Sequence, residues 1–372
     1  MGGDTRAGGR AAVAGAAVSL VLRHEVLHLA LRDPFRIARS DHGGGHEVTT
    51  VVVEVRDDRL PGIVGVGEGY PDRYYGETPA TMAAVMPMLL HDADSLHVDL
   101  GESSHARRYL EWLSATWADK ISGHGAAKCA LDIALHDLAG KALGMPVYEL
   151  LGLSADLPAT DFTIGIDAPD VVAERARRAS AFPALKIKVG GPGDLATLEA
   201  VRDVYDGPIR VDANTGWTPE DAVAILPDLE RLGVELIEQP FPARRLDQLR
   251  WLQERSSLPI VADESCVSDE DLDGLVGVVA GVNVKLAKCG GIAAARRMLE
   301  RARELGFRTF LGCMEETSVG IAGSAAVASL AEWVDLDGCL LLADDPFDGL
   351  DLGSDHRWRL TDRPGLGLSR RT

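Results

Sequence analysis

The stretch ALKIKVG, residues 184–190, decides how the second half of this 372-residue chain is read. It is a short apolar run with the character of a buried strand. Its two charged residues, Lys186 and Lys188, sit two apart near its end, so both point to one face. Working outward, the same form recurs seven more times. DFTIGI (161–166) precedes it, and IRVDANTG (209–216), ELIEQP (235–240), IVADES (260–265), GVNVKLAK (281–288), RTFLGCM (308–314) and EWVDLDG (332–338) follow it. That makes eight strands, with amphipathic helical patterns between them. The helix after the third strand is signalled by Thr218 as N-cap, Pro219 at its first position, and Val223, Leu226 and Leu229 on one face. Lys188 to Asp212 spans 24 residues, Asp212 to Glu238 26, Glu238 to Asp263 25, and Asp263 to Lys285 22. A repeated βα unit gives such a period. Eight units predict a closed parallel barrel, whose chemistry sits at the C-terminal ends of its strands. An open doubly wound sheet is the alternative, but no G-x-G-x-x-G follows the first strand.

The first half has a different texture. VSLVLRHEVLHLALR (18–32), VTTVVVEV (48–55) and GIVGVGEG (62–69) alternate with turns and predict an antiparallel meander. Between the first two lies RIARSDHGGGHE (36–47), expected to be mobile, with no role assigned to its glycine-rich part 42–46. Residues 79–145 are expected to be helical. In AAKCALDIALHDLAGKALG (126–144), Ala127, Leu131, Ala134 and Leu138 form an apolar stripe, while Lys128, Asp132 and His136 face away. Gly144 and Pro146 stop that helix. A meander followed by helices predicts a small α+β domain.

Composition sets the class. Hydrophobic residues make up 46% of the chain, enough for a sizeable core. The charge balance, 38 − 57 = −19, argues against nucleic acid or an anionic membrane as partner. No segment reaches the ~18 apolar residues of a membrane span. The five cysteines are scattered, without C-x-x-C spacing, so a reducing, cytoplasmic setting is expected. Residues 1–17 are Gly/Ala-rich and expected to be a disordered extension. A signal peptide is the alternative there, with Arg6 and Arg10 ahead of AAVAGAA, but the apolar run flows straight into a strand.

Charged and polar residues gather late in the barrel strands: Lys186 and Lys188, Asp212 and Asn214, Glu238, Asp263 and Glu264, Lys285 and Lys288, Glu316, and Asp335 with Asp337. Buried charges are costly unless paired or bound to metal. Asp212, Glu238 and Asp263 come from consecutive strands and converge on one sector of the rim. Three carboxylates with room for water and substrate suit Mg²⁺. A soft-metal trio of Cys266, Cys289 and Cys313 is the weaker alternative. Two lysines on one face, as at 186 and 188, push an ammonium pKa down from ~10.4 towards a useful base. In an eight-strand ring, strands 2 and 6 are opposite, so a central substrate has a lysine on either face. Structural salt bridges are the plainer account of these lysines. Opposed lysines beside a metal fit removal of a proton from one face of a carbon and its return to the other.

KIKVG, VDANTGW, IEQP, ADES and VKLAKCGGI, together with DPFRIAR, GMPVYELLG and the terminal PGLGL, resemble the enolase superfamily in its muconate-lactonizing subgroup. Strand-8 DLDG is similar to the D-x-D signature of the dipeptide epimerases. The resemblance spans nearly the whole chain. It implies a modified (β/α)₇β TIM-like barrel at 156–338, an N-terminal α+β capping domain at 18–155, and a segment 339–372 that returns to the cap. It implies Asp212, Glu238 and Asp263 as ligands of one Mg²⁺, and Lys188 and Lys285 as the acid/base pair, tuned by Lys186. Spacing alone does not choose Lys188 over Lys186, or Lys285 over Lys288. The family chemistry is loss of the α-proton of a carboxylate to give an enediolate.

Strand 8 lies opposite strand 4, the middle of the metal sector. A substrate gripped at both ends therefore crosses the barrel mouth, with an anionic end at the metal and a cationic end at Asp335 and Asp337. A dipeptide fits, and the epimerised centre is then the α-carbon of its second residue. Lys186, Thr163 on the first strand, Glu316 after the seventh, and Arg39 in the capping loop are further candidate substrate contacts, with Asn214 and Glu264 behind the ligands. Arg39 sits one position off the arginine expected in epimerases that prefer Ala-Glu, and Arg36 is also available, so the preferred side chain is left open. GYPDRYYGE (69–77) is a candidate loop to close over the site. The rivals are muconate cycloisomerase, o-succinylbenzoate synthase and N-succinylamino acid racemase, whose substrates have no ammonium for Asp335 and Asp337. A non-catalytic homologue would have lost a lysine or a ligand. A homo-oligomer is expected.

Overall fold

The computed structural model describes residues 20–39, 45–94 and 102–371. The extension 1–17 and residues 42–44 of the glycine-rich loop lie outside the described residues. No described helix is long and apolar enough to cross a membrane.

Strands β1 (Leu20–Ala30), β2 (Glu47–Asp57) and β3 (Val64–Gly69) form an antiparallel sheet in that order, followed by helices α1 (Pro79–Asp94), α2 (Ser103–Lys120), α3 (Gly125–Leu143) and α4 (Val147–Leu151). Alternate residues of β3 are glycines, so one face of it is bare backbone. Helix α3 lies directly on that face: a Cβ on Gly67 would come within 2.0 Å of the Ala130 carbonyl, and one on Gly65 within 2.1 Å of the Ala134 carbonyl. Gly144 ends α3 in the left-handed conformation. Lys128, Asp132 and His136, read as the face turned away, are buried too. The reason is that α3 is wedged between the cap sheet and the barrel, so its polar stripe meets protein instead of water. Lys128 Nζ donates to the Ile121 carbonyl, and the Ala293 amide of the barrel donates to Asp132 Oδ2 at 3.3 Å.

Eight short strands follow: β4 (Phe162–Ile164), β5 (Leu185–Lys188), β6 (Ile209–Asp212), β7 (Val234–Glu238), β8 (Ile260–Ala262), β9 (Gly281–Lys285), β10 (Arg308–Gly312) and β11 (Trp333–Val334). They are parallel and neighbour one another in sequence order. A parallel bridge between Thr160 and Val334 joins the two ends of the sheet, with the Asp161 amide donating to the Val334 carbonyl at 3.0 Å. This is the expected (β/α)₇β barrel. Its intervening helices are α5 (Pro169–Arg178), α6 (Asp194–Arg202), α7 (Pro219–Arg231), α8 (Leu246–Gln253), α9 (Leu272–Leu275), α10 (Leu286–Cys289), α11 (Ile292–Glu304) and α12 (Ser318–Ala325).

Helix α7 starts at a reciprocal cap in which Thr218 Oγ1 accepts from the Asp221 amide and Asp221 Oδ2 accepts from the Thr218 amide. Its buried face is Ala222, Leu226 and Leu229. Val223, expected on that face, is exposed, because it stands about 100° round the helix from Ala222.

The cap reaches the barrel mouth through residues 31–39. Leu31 bridges Leu342, the Ile166 amide donates to the Arg36 carbonyl at 2.9 Å, and Ala38 seats in a notch between Gly190 and Gly216. From the other end of the chain, the Gly365 amide donates to the Met145 carbonyl, the Val147 amide to the Gly365 carbonyl, and the Leu366 amide to Asp137 Oδ1.

Candidate active site

Period-2 alternation turns Lys186 and Lys188 inward from β5, and the same rule turns Asp212 inward from the end of β6 and Glu238 from the end of β7. Asp263 follows directly on β8, and Lys285 closes β9. These side chains are all buried. Ligand oxygens of Asp212, Glu238 and Asp263 lie within 4.8 Å of one another. Among the described residues this is the group that can converge on an ion, and Cys266, Cys289 and Cys313 form no such group.

The donor set fits a hard divalent cation. It is all oxygen, and Glu238 Oε2, Asn214 Oδ1 and Glu264 Oε2 are buried without an aligned hydrogen bond. Burial first and then Asp212 push the Glu238 carboxyl up to about 7, the sign of a charge cluster that wants more positive charge. Asn214 is tied to the cluster by its amide on Asp212 Oδ1 (2.9 Å) and its Nδ2 on Glu264 Oε1 (3.2 Å).

The lysines answer the carboxylates. Lys188 Nζ lies 2.6 Å from Asp212 Oδ2, and Lys285 Nζ lies 2.9 Å from Asp263 Oδ2. Both line the cavity over the barrel mouth, as does Lys186. Lys288 does not. It is saturated by Asp263 Oδ1 and the carbonyls of Asp263, Cys266 and Asn283, so it fixes the strand ends that carry the acids. For Lys186 the lowered pKa expected from like-charge repulsion is reversed. Burial opposes the Lys186 ammonium, but Asp335, Glu238 and Asp212 outweigh it and hold its pKa well above the usual lysine value. Lys285 is raised in the same way, with Asp263 the main partner.

Across the cavity stand Asp335 and Asp337. Asp335 Oδ1 accepts from Thr163 Oγ1 (3.0 Å) and its Oδ2 from Lys186 (2.8 Å), so β5 supplies the cation that pairs with this acid. Lys186 outweighs the burial that opposes ionisation and holds the Asp335 carboxyl below the usual carboxylate range. Asp337 Oδ2 accepts from the Thr163 amide at 2.5 Å and has no cation beside it at this distance. Burial and then the neighbouring Asp335 raise its pKa well above normal.

Thr163 and Arg39 also line the cavity. Arg39 Nη2 meets Glu264 Oε1 at 2.9 Å, Nη1 lies 3.8 Å from Asp72, and the guanidinium lies 4.0 Å from the Tyr74 ring centroid. Glu264 thus sits between the ligands and the cap. Glu316 does not line the cavity. It is buried against Gly320 and faces Glu68, while its neighbour Glu315 lines the wall.

The structure adds residues that strand-end reasoning missed. Phe35, Ile37, Tyr70, Asp72 and Leu341 close the cavity from the cap side and from the chain after β11. DPFRIAR (33–39) and GYPDRYYGE were the available signals for the cap residues. Below the cavity, the Phe310 ring lies 5.2 Å from Lys186 Nζ and 5.4 Å from the Arg210 guanidinium, and Arg210 pairs with Asp161 and Glu235 at 2.8 Å each. These polar residues lie at strand starts, where nothing in the sequence separates them from surface charges.

Residues 171–371 match the family model described as enolase C-terminal domain-like, and residues 18–152 match the N-terminal domain of mandelate racemase / muconate lactonizing enzyme. The chain belongs to the enolase superfamily. Among its curated relatives in that superfamily, L-Ala-D/L-Glu epimerase of Bacteroides thetaiotaomicron is 38% identical over 344 residues, 91% of this chain and 85% of that protein. The crystal structure of a dipeptide epimerase from Enterococcus faecalis V583, complexed with Mg and L-Leu-L-Tyr, matches with a TM-score of 0.83 at 32% identity, covering 94% of this chain and 99% of that one. N-succinyl Arg/Lys racemase from Bacillus cereus has a TM-score of 0.84 at 28% identity, covering 96% of each chain.

Proposed function

We propose that this enolase-superfamily chain is a Mg²⁺-dependent dipeptide epimerase that inverts the α-carbon of the second residue. The observation that carries this reading is three convergent carboxylates, two of them in contact with Lys188 and Lys285, beside a cavity lined by those two lysines from opposite strands and by the pair Asp335 and Asp337. Asp212, Glu238 and Asp263 would hold the ion, which would bind the substrate carboxylate and neutralise the charge that builds there as the α-proton leaves.

The remaining work falls to side chains. Lys188 takes the proton from one face of the α-carbon and Lys285 returns one to the other, or the reverse for the opposite epimer. As bases they must be neutral. Each leans on a ligand carboxylate, a hold that a cation on those carboxylates would weaken. Asp337 and Asp335 take the α-ammonium of the first residue, and Thr163 fixes both acids in place. Asn214 and Glu264 steady the ligand shell from behind, and Arg39 roofs the cavity.

In this reading the cap comprises 18–155, the barrel 156–338, and 339–372 carries the chain back to the cap. A cytoplasmic homo-oligomer goes with it. The five cysteines stand outside any disulfide, and Met88 and Trp112 are exposed on the cap helices.

The structural likeness to an N-succinylamino acid racemase makes that the rival activity. Its N-acylated substrate lacks the α-ammonium that this reading assigns to Asp335 and Asp337. The test is incubation with Mg²⁺ and pooled L,L-dipeptides in D₂O, with N-acetylated dipeptides and N-succinylamino acids in parallel. Deuterium uptake by free dipeptides alone, abolished by exhaustive chelation, is the expected outcome. Uptake by the acylated compounds alone overturns the reading in favour of the racemase.

A further inference from the structure

Among the described residues, Lys186 is the side chain of the site that touches both ends of it. Its ammonium lies 2.8 Å from Asp335 Oδ2 on one side, and 2.8 Å from Glu238 Oε2 and 3.4 Å from Asp212 Oδ2 on the other. It is almost wholly buried, with the Phe310 ring below it, so it cannot relax into water. A single positive charge is therefore shared between the ligand carboxylates and the opposite wall. Asp335 Oδ2 has Lys186 as its hydrogen-bond donor, while Oδ1 is held by Thr163. The share of Lys186 that Asp335 takes is withheld from Glu238 and Asp212.

We propose that Asp335 is a positioning residue for the metal site: by holding Lys186 on the β11 side it sets the divalent-cation affinity of Asp212, Glu238 and Asp263. This rests on the reading of those carboxylates as a metal site. In the metal-free protein, Lys186 and the divalent cation compete for the same oxygens of Glu238 and Asp212. Asp335 biases that competition by offering the ammonium another partner. Removing the Asp335 charge sends Lys186 wholly to the ligands, and an incoming ion must then displace a fully paired ammonium. Asp337, held by the Thr163 amide, has no such contact with Lys186.

The test is Mg²⁺ titration calorimetry on the full chain without substrate, with circular dichroism to check the fold of each variant. Asp335→Asn is expected to weaken Mg²⁺ binding about 5–150-fold, the usual range of coupling between linked sites. Asp335→Glu, which keeps the charge, is expected to bind Mg²⁺ within about threefold of the parent. In a Lys186→Met background, Asp335→Asn should change the affinity no more than about twofold, because the competitor is gone. Asp335→Asn binding like the parent overturns the proposal. So does an undiminished loss in the Lys186→Met background, which would mean a plain through-space field effect. Should Lys186→Met not fold, the contrast between Asp335→Asn and Asp335→Glu decides: equal loss in both overturns the proposal. A parent chain that binds no Mg²⁺ sinks the metal reading instead, a distinct outcome.

Discussion

The backbone N–H of Thr163 donates to Asp337 Oδ2 at 2.5 Å, which pins an acid at the end of the barrel to its first strand. The Thr163 hydroxyl holds Asp335 in the same way, so one residue aims both carboxylates at the cavity. Hydrogen bonds between charged partners contribute about 1.5–3 kcal/mol. Asp337→Asn is therefore expected to raise KM for free dipeptides roughly 10–100-fold. Steady-state kinetics on a free dipeptide and its N-acetyl derivative check this. An equal loss on both substrates would show that Asp337 does not read the ammonium.

Lys188 and Lys285 stand on opposite strands, β5 and β9, and each is within 2.9 Å of a ligand carboxylate. If each serves one face of the α-carbon, Lys188→Ala and Lys285→Ala should each lower epimerisation by about 10²–10⁴. Each variant should still exchange the α-proton of one epimer, and the two should differ in which. Mass spectrometry in D₂O on each pure epimer reads this out. If either variant keeps full epimerisation, the two-base scheme is wrong.

Gly216 leaves room for the capping loop. A Cβ there would lie 2.6 Å from Ala38 Cβ, and Gly216 does not need a left-handed backbone, so substitution acts through bulk alone. Gly216→Ala should push residues 36–39 off the rim and with them Arg39, lowering kcat/KM about tenfold, in line with the cost of overpacking. Mg²⁺ affinity should stay within about twofold. Ala38→Gly in the same chain should restore activity, and failure of that rescue would count against the seat.

Glu316 and Glu68 face one another in the core. Glu68 takes hydrogen bonds from the Thr50 and Thr317 hydroxyls and from the Thr317 and Gly320 amides, so it carries the charge of the pair. Burial and then Glu68 push the Glu316 carboxyl up from 4.5 to about 8. A raised folded-state pKa means that the unfolded chain loses this proton first as pH rises. The contribution of Glu316 is thus fully favourable below about 4.5, declines through the window 4.5–8, and is flat above it. Glu316→Gln cannot ionise in either state. Its stability relative to the parent should rise across that window by up to roughly 4–5 kcal/mol. Urea unfolding of the metal-free protein at pH 5 and 8.5 measures the difference. A gap that does not change with pH would place the ionised form of Glu316 in the native state throughout.

The sequence by itself determined which residues point inward and at which end. Strand alternation fixes the face of Lys186 and Lys188, and the βα period places Asp212, Glu238, Asp263 and Lys285 at successive strand ends. Both are local rules, so they hold before the chain closes. The tertiary structure decided who meets whom. Lys186 and Asp335 are 149 residues apart and touch because the ring closes between β4 and β11. The neighbouring ends of β8 and β9 saturate Lys288 with four acceptors and leave Lys285 in the cavity. Docking of the cap brings Arg39 to Glu264, 225 residues away, and turns the polar face of α3 into an interior surface. Periodicity gives a side chain its direction, but the charge, the backbone or the water it finds there depends on elements that arrive from elsewhere in the chain.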